Sequence, residues 1–159
     1  MNEAATSQTR TVPDDWIDYN GHMNLAYYVM AFDQALDVFL DRDIGAGPTL
    51  VKSHNQGPFA LQSHLYYCDE LLAGDAFSCK FLVLDGDTKR LHIAGSMIRQ
   101  RDGETVCVME QVLINVDHDT RRSTPYPAQV QARISAILKA HKDIPRPPQI
   151  GRRIGLKQR

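Results

Sequence analysis

The chain has 159 residues, 43% of them hydrophobic and 23% charged, with 18 Lys and Arg against 19 Asp and Glu for a net charge of -1. That length predicts a single domain able to bury a core without metal or disulfide staples. The near-neutral balance argues against a surface built to follow nucleic-acid phosphates, and no apolar run approaches the roughly 20 residues that a membrane span requires.

In chain order, residues 1–8 are polar and expected to be loose, and the first ten residues lack the apolar stretch of a secretory signal. A cytoplasmic location is the expectation, and Cys68, Cys79 and Cys107 agree with it. They are odd in number, widely spaced and without a CxxC pair, the pattern of reduced thiols. Residues 9–16 read as a short first strand. From 24 to about 41 the pattern changes: after Asn24, apolar side chains fill every position except a thin stripe of Asp33, Gln34, Asp37 and Asp41. The stripe recurs every three or four residues, which is helical spacing, and a helix apolar nearly all round is expected to be buried on most sides. Its length would be roughly 27 Å. Asn24 suits the N-cap, and Gly45 and Gly47 follow as stop signals.

Four strands are predicted next. They cover residues 59–67, 76–84 (Phe77, Cys79, Phe81 and Val83 on one face), 90–99 (Leu91, Ile93 and Met97 together) and 106–116. In the last of these, Val106, Val108, Val112 and Ile114 define an inward face that also carries Glu110. Short links at Asp85-Gly86-Asp87 and Asp102-Gly103 predict an antiparallel meander. Residues 127–141 form a final helix with Val130, Ile134, Ile137 and Leu138 on one face, expected to pack outside the core. One buried helix and one antiparallel sheet imply a sheet curled around the helix, an α+β architecture filling residues 1–144. Residues 145–159 carry five cations and no acid among several prolines, and read as a solvated basic tail.

The candidate site is the polar segment 16–24, Trp-Ile-Asp-Tyr-Asn-Gly-His-Met-Asn. It ends where unpaired N–H groups leave a helix N-terminus, a natural seat for an oxyanion. Asp18 and His22 lie on a loop that Gly21 can bend sharply. Carboxylate, imidazole and oxyanion donors together suit acyl transfer or hydrolysis; a turn-and-cap role for the same residues weighs equally on spacing alone.

The stretch from Asp18 to Asp33 resembles the signature of hotdog-fold thioesterases of the 4-hydroxybenzoyl-CoA thioesterase type, through Asp18, Gly21, His22, Asn24, Tyr28, Phe32 and Asp33. The resemblance implies a hotdog fold, with a five-stranded antiparallel sheet curled around a long central helix plus a C-terminal helix. It also implies pairing into a homodimer or homotetramer with sites at subunit interfaces, and an acyl-CoA substrate whose CoA is consumed as part of the substrate and not held as a cofactor. Asp18 becomes nucleophile or general base, His22 orients it, and Asn24 fixes the turn. An amide within Leu25 to Tyr27 becomes the oxyanion donor, and Tyr28 a candidate acyl-pocket residue, with plain core packing the favoured reading for a buried helix aromatic. Asp33, Asp37 and Glu110 are reserve acids, with a structural role favoured for Glu110. Lys89 and Arg90 are candidates for the CoA phosphates, and the basic tail over 145–159 is a less favoured one beside its solvated reading.

Segments 16–24, 87–92 and 110–117 further resemble thioesterases that act on betainyl-CoA, although Ala94-Gly95 departs from them. A quaternary ammonium calls for aromatic faces or acids, and Trp16, Tyr19, Tyr66 and Tyr67 are the candidate rings. His64 and His92 read as strand-surface residues, and no metal site is expected from Asp117-His118-Asp119. Two other readings stay open: a hotdog acyl-CoA dehydratase or hydratase, and a non-catalytic acyl-CoA binding module.

Overall fold

A computed structural model describes residues 4–156. Two short strands, β1 (Ala5–Thr6) and β2 (Arg10–Thr11), precede a 3-10 turn at Asp14–Trp16. Helix α1 (Leu25–Phe39) runs into a single π-helical turn (Leu40–Ile44), and a short helix α2 (Pro48–His54) follows. Then come β3 (Gln56–Tyr67), β4 (Ala76–Gly86), β5 (Arg90–Arg99), β6 (Thr105–Asp117) and α3 (Ala128–His141). All pairs are antiparallel, in the order β1-β4-β5-β6-β3, with β2 also on β4. β1 and β2 thus share the fifth position of the sheet. The expected single strand over 9–16 is corrected to β2 and the 3-10 turn: Pro13, which has no N–H to give to a ladder, turns the chain away.

The four long strands lie where alternation placed them, and the sheet curls over one side of α1. Tyr28, Ala31, Phe32, Ala35, Leu36 and Phe39 meet Phe77, Cys79, Phe81 and Val83 of β4, and Leu91, Ile93 and Met97 of β5, in one buried cluster. Phe39 stacks on Phe81 at 5.4 Å, and Phe32 meets it edge-on at 6.5 Å. Gly95 makes room for this pair, because a Cβ there would stand 3.0 Å from the Phe32 ring and 3.1 Å from Phe81.

Three expectations change. Leu25 is 63% exposed, Val29 46% and Val38 56%, so within one chain α1 is a half-covered rod. A single curled sheet can cover only one side of a helix, and the acid stripe lies on the other with these apolar residues. On β6, Cys107, Met109 and Leu113 enter the core and Glu110 faces outward. The register with β5 slips between Met97 and Ile98, so Val106 and Cys107 both point inward and the alternation loses phase. Helix α3 is not outside the core: Val130 and Ile134 join it, beside the gap left by Gly86.

Helix α2 was invisible to periodicity because seven residues are too few to show it. Asp41 of the stripe caps it, accepting from Thr49 N at 2.8 Å and Thr49 Oγ1 at 2.9 Å. Residues 157–159 of the tail, with Lys157 and Arg159, lie outside the described residues, and the part before them does not run free of the sheet. Ile144 and Ile150 pack on Leu82, Leu84 and Ala94 of the sheet's outer face, and Arg146 donates to Leu84 O at 3.2 Å.

One histidine locks α3 to the sheet. The β4 register shifts between Val83 and Asp85, and the Val83 N–H donates to His141 Nδ1 at 3.0 Å. Burial is the largest influence on His141 and lowers its pKa below 6.5, against the nearby Asp43. The folded state therefore binds fewer protons than the unfolded state. This contribution is complete above about pH 6.5 and declines as the pH falls through the lower folded value. Thermal melts should show Tm falling on acidification through that window, with a flatter dependence in His141→Gln. Parallel curves for the two proteins would refute the assignment.

Candidate active site

The segment between the 3-10 turn and α1 forms a tight hairpin. Ile17 bridges to Met23, Gly21 N donates to Asp18 O at 2.9 Å, and Asp18 N donates to His22 O at 3.0 Å. Gly21 adopts φ +82, the left-handed backbone that this turn demands. Asp18 Oδ1 accepts from Asn20 N at 2.8 Å, an Asx turn. Its other oxygen, Oδ2, accepts from Asn24 Nδ2 at 3.3 Å.

Asn24 is the hinge of the arrangement. Its backbone is extended at φ -62, ψ 144, and its Oδ1 accepts from Ala26 N at 3.0 Å as the helix cap. One amide side chain therefore touches the Asp18 carboxylate and the positive end of α1 together. Ala26 N is taken by this cap and Tyr27 N by Asn24 O at 3.0 Å. The Leu25 N–H has no partner among the described residues. The expected donor range of Leu25 to Tyr27 thus narrows to Leu25.

A cavity of about 140 Å³ opens beside this helix end, lined by His22, Met23, Leu25, Tyr28, Tyr67, Asp69 and Glu70. Tyr28 is buried, its hydroxyl accepts from Leu71 N at 3.0 Å, and burial pushes its phenol up to about 12. Tyr67 meets Tyr28 edge-on at 5.3 Å and donates to Leu25 O at 3.5 Å. Burial also raises the Tyr67 phenol. Both hydroxyls stay protonated at neutral pH.

Several sequence candidates stand elsewhere. The His22 ring bonds Met23 O at 3.1 Å, so it is the backbone of His22, not its imidazole, that holds Asp18. Trp16 is buried, stacked on Tyr27 at 5.0 Å and covered by Arg10 at 5.2 Å, so neither ring lines the cavity. Tyr19, at the tip of the turn, is 96% exposed, and Tyr66 lies under Arg152 at 5.7 Å. Asp33 and Asp37 are exposed on α1; burial first, then the charges of Asp33 and Asp41, lifts the Asp37 carboxyl above its usual range. Arg90 is paired to Asp87 at 2.6 Å, and the whole of β4 separates it and Lys89 from the Asp18 end of the sheet, about 33 Å of strand. They cannot serve the Asp18 of their own chain. Glu110, on the outer face, accepts from His92 Nε2 at 2.8 Å and Gly151 N at 2.7 Å, the structural role favoured for it.

Arg99 escaped the sequence reading. It is buried at the end of β5, donating to Asp69 at 2.8 Å, to Asp102 at 2.9 Å and to Glu70 O at 2.7 Å. These bonds raise its pKa further and clamp the 69–70 wall of the cavity. Asp102 at i+3 is a visible signal of half this clamp; Asp69, thirty residues back, is not.

A model of the thioesterase-like superfamily matches residues 12–134. A betainyl-CoA thioesterase of Pseudomonas aeruginosa is 33% identical over 156 residues, covering 98% of both chains. A bifunctional L-carnitine dehydrogenase/betainyl-CoA thioesterase of Rhizobium meliloti is 29% identical over 143 residues, and there the match spans only 28% of the relative's length. Among solved structures, a hypothetical protein of Staphylococcus aureus in complex with CoA superposes with a TM-score of 0.86 at 28% identity, covering 98% of both chains. A Pseudomonas putida KT2440 protein proposed to be a thioesterase gives 0.83 at 30%, again with 98% coverage of both. Among the described residues no helix is long and apolar enough to cross a membrane. The chain belongs to the thioesterase-like superfamily and is a hotdog-fold thioester hydrolase.

Proposed function

We propose that this protein hydrolyses a small acyl-CoA thioester, and that betainyl-CoA is its substrate. The observation that carries the mechanism is Asn24 bridging the Asp18 carboxylate and the amide end of α1. Asp18 attacks the thioester carbonyl or draws a proton from the water that does. The carbonyl oxygen gathers negative charge against the Leu25 N–H. Collapse breaks the C–S bond, and CoA leaves as a thiolate that needs no strong acid at neutral pH. One water is consumed, one free acid and one CoA are released, and no cofactor enters.

The substrate reading draws on the Pseudomonas aeruginosa relative and on the cavity wall. Tyr28 and Tyr67 offer ring faces and Glu70 a carboxylate, the surroundings a quaternary ammonium favours. The reading includes a cytoplasmic homo-oligomer. Three free cysteines support the location. The open edge of β3, with Phe59 and Leu61 exposed, and the uncovered Leu25, Val29 and Val38 support the assembly.

A thiol-release assay with betainyl-CoA, short straight-chain acyl-CoA and aryl-CoA tests the proposal. The highest kcat/KM is expected for betainyl-CoA. Consumption of thioester without free thiol would replace hydrolysis by a dehydratase or hydratase reaction. Binding without turnover across the panel would make the protein a binding module.

A further inference from the structure

The C-terminal segment crosses the outer face of the sheet as a strap, on the side opposite α1. Arg146 donates to Leu84 O on β4, and Gly151 N donates to Glu110 Oε2 on β6 at 2.7 Å. Arg152 lies over Tyr66 of β3 at 5.7 Å, and Gln149 Nε2 reaches Cys68 Sγ at 3.5 Å. The anchors engage β4, β6, and β3 together with the residue just past its end. Between strap and sheet lies a cavity of about 560 Å³.

Its chemistry is that of an anion receptor. Arg152 and Arg153 line it, and neither is in an ion pair among the described residues. His64 and His92 face it from β3 and β5. Ser63 Oγ accepts from Gln111 Nε2 at 2.7 Å, which leaves the hydroxyl proton to donate. The one carboxylate present, Glu110, already accepts from His92 and from Gly151, so it holds the strap and the imidazole in place. Two guanidiniums against one occupied carboxylate favour a ligand with several anionic oxygens, and guanidinium planes match phosphate bidentately. The volume falls in the range of small-molecule sites and exceeds what a lone phosphate needs. Val112 and Ile154 give it an apolar side.

We propose that this cavity binds a phosphate-bearing nucleotide, at a site separate from the Asp18 hairpin. The assignment does not depend on the hydrolytic reading, since the sheet separates the two sites.

Calorimetric titration of the full chain with 3′,5′-ADP, AMP and inorganic phosphate tests it. Binding of 3′,5′-ADP is expected, weakening with added salt. Arg153→Glu, at an exposed position, and Arg152→Ala should each weaken it at least tenfold. Both variants should hydrolyse an N-acetylcysteamine thioester, which carries no nucleotide, at the parent rate. Absence of nucleotide binding, or binding unchanged in both variants, would overturn the proposal. Phosphate binding as tightly as 3′,5′-ADP would overturn the nucleotide assignment. Failure of thiol release with nucleotide binding intact would count against the hydrolytic reading alone.

Discussion

Asp18→Asn is expected to lower kcat for thiol release by at least about a hundredfold while leaving the protein folded. The substitution separates the two roles that the carboxylate holds. As a turn acceptor, Asp18 needs only Oδ1, which takes the Asn20 N–H at 2.8 Å, and asparagine supplies the same oxygen. As a nucleophile or base it needs the charge, which asparagine lacks. The new amide also faces Asn24 Nδ2 across 3.3 Å, donor against donor. Turning Asn24 over would relieve that contact only by giving up the cap on Ala26. A loss of about 1 kcal/mol is the expected stability cost, readable as a modest drop in Tm. An unchanged rate would move the chemistry to another acid. Glu110 could not take it up from the outer face, where His92 and Gly151 occupy it. Asp33 and Asp37, exposed on α1, would inherit the question.

What could be read from the chain divides along the reach of each interaction. The α1 helix, the four long strands and the Asn24 cap depend on period and on neighbours a few residues away, and all are in the structure. The sharp bend beside Asp18 was legible for the same reason, because Gly21 is a local device, whereas the hairpin bridge and the Asx turn came only with the structure. The face of β6 was not legible: one bulge at Val106 inverts a period-two pattern, and nothing within the strand announces it. The Arg99 clamp joins residues 69 and 99, and the strap joins residues 110 and 151, separations over which sequence pattern carries no signal. Trp16 and Tyr19 show the opposite error. Their aromatic character suggested a pocket, but only the fold decides whether a ring stacks on Tyr27 or faces water. The half-exposed α1 belongs to the same class, since the apolar pattern of Leu25, Val29 and Val38 reports that a surface is to be covered without reporting what covers it.

Replacing Leu25 by proline removes a single hydrogen-bond donor with almost no other change, and kcat is expected to fall by about a hundred- to a thousandfold, the usual loss for one oxyanion donor. The position permits the substitution. Leu25 is the first residue of α1, where the N–H has no helical acceptor and proline fits the backbone. The preceding residue, Asn24, is extended at φ -62, ψ 144, the conformation that a following proline requires. The Leu25 side chain is 63% exposed, so little packing is lost within the chain. The cap from Asn24 Oδ1 to Ala26 N remains, as does the carbonyl that accepts from Tyr67. Leu25→Ala supplies the control, because it removes the side chain and keeps the N–H. The two variants should have similar Tm values and widely different kcat, with Leu25→Ala within a few-fold of the parent. Equal kcat in the pair would show that the developing charge is held by some other donor. The helix end would then be a cap and nothing more, and Asp18 would stand beside it for the sake of the turn.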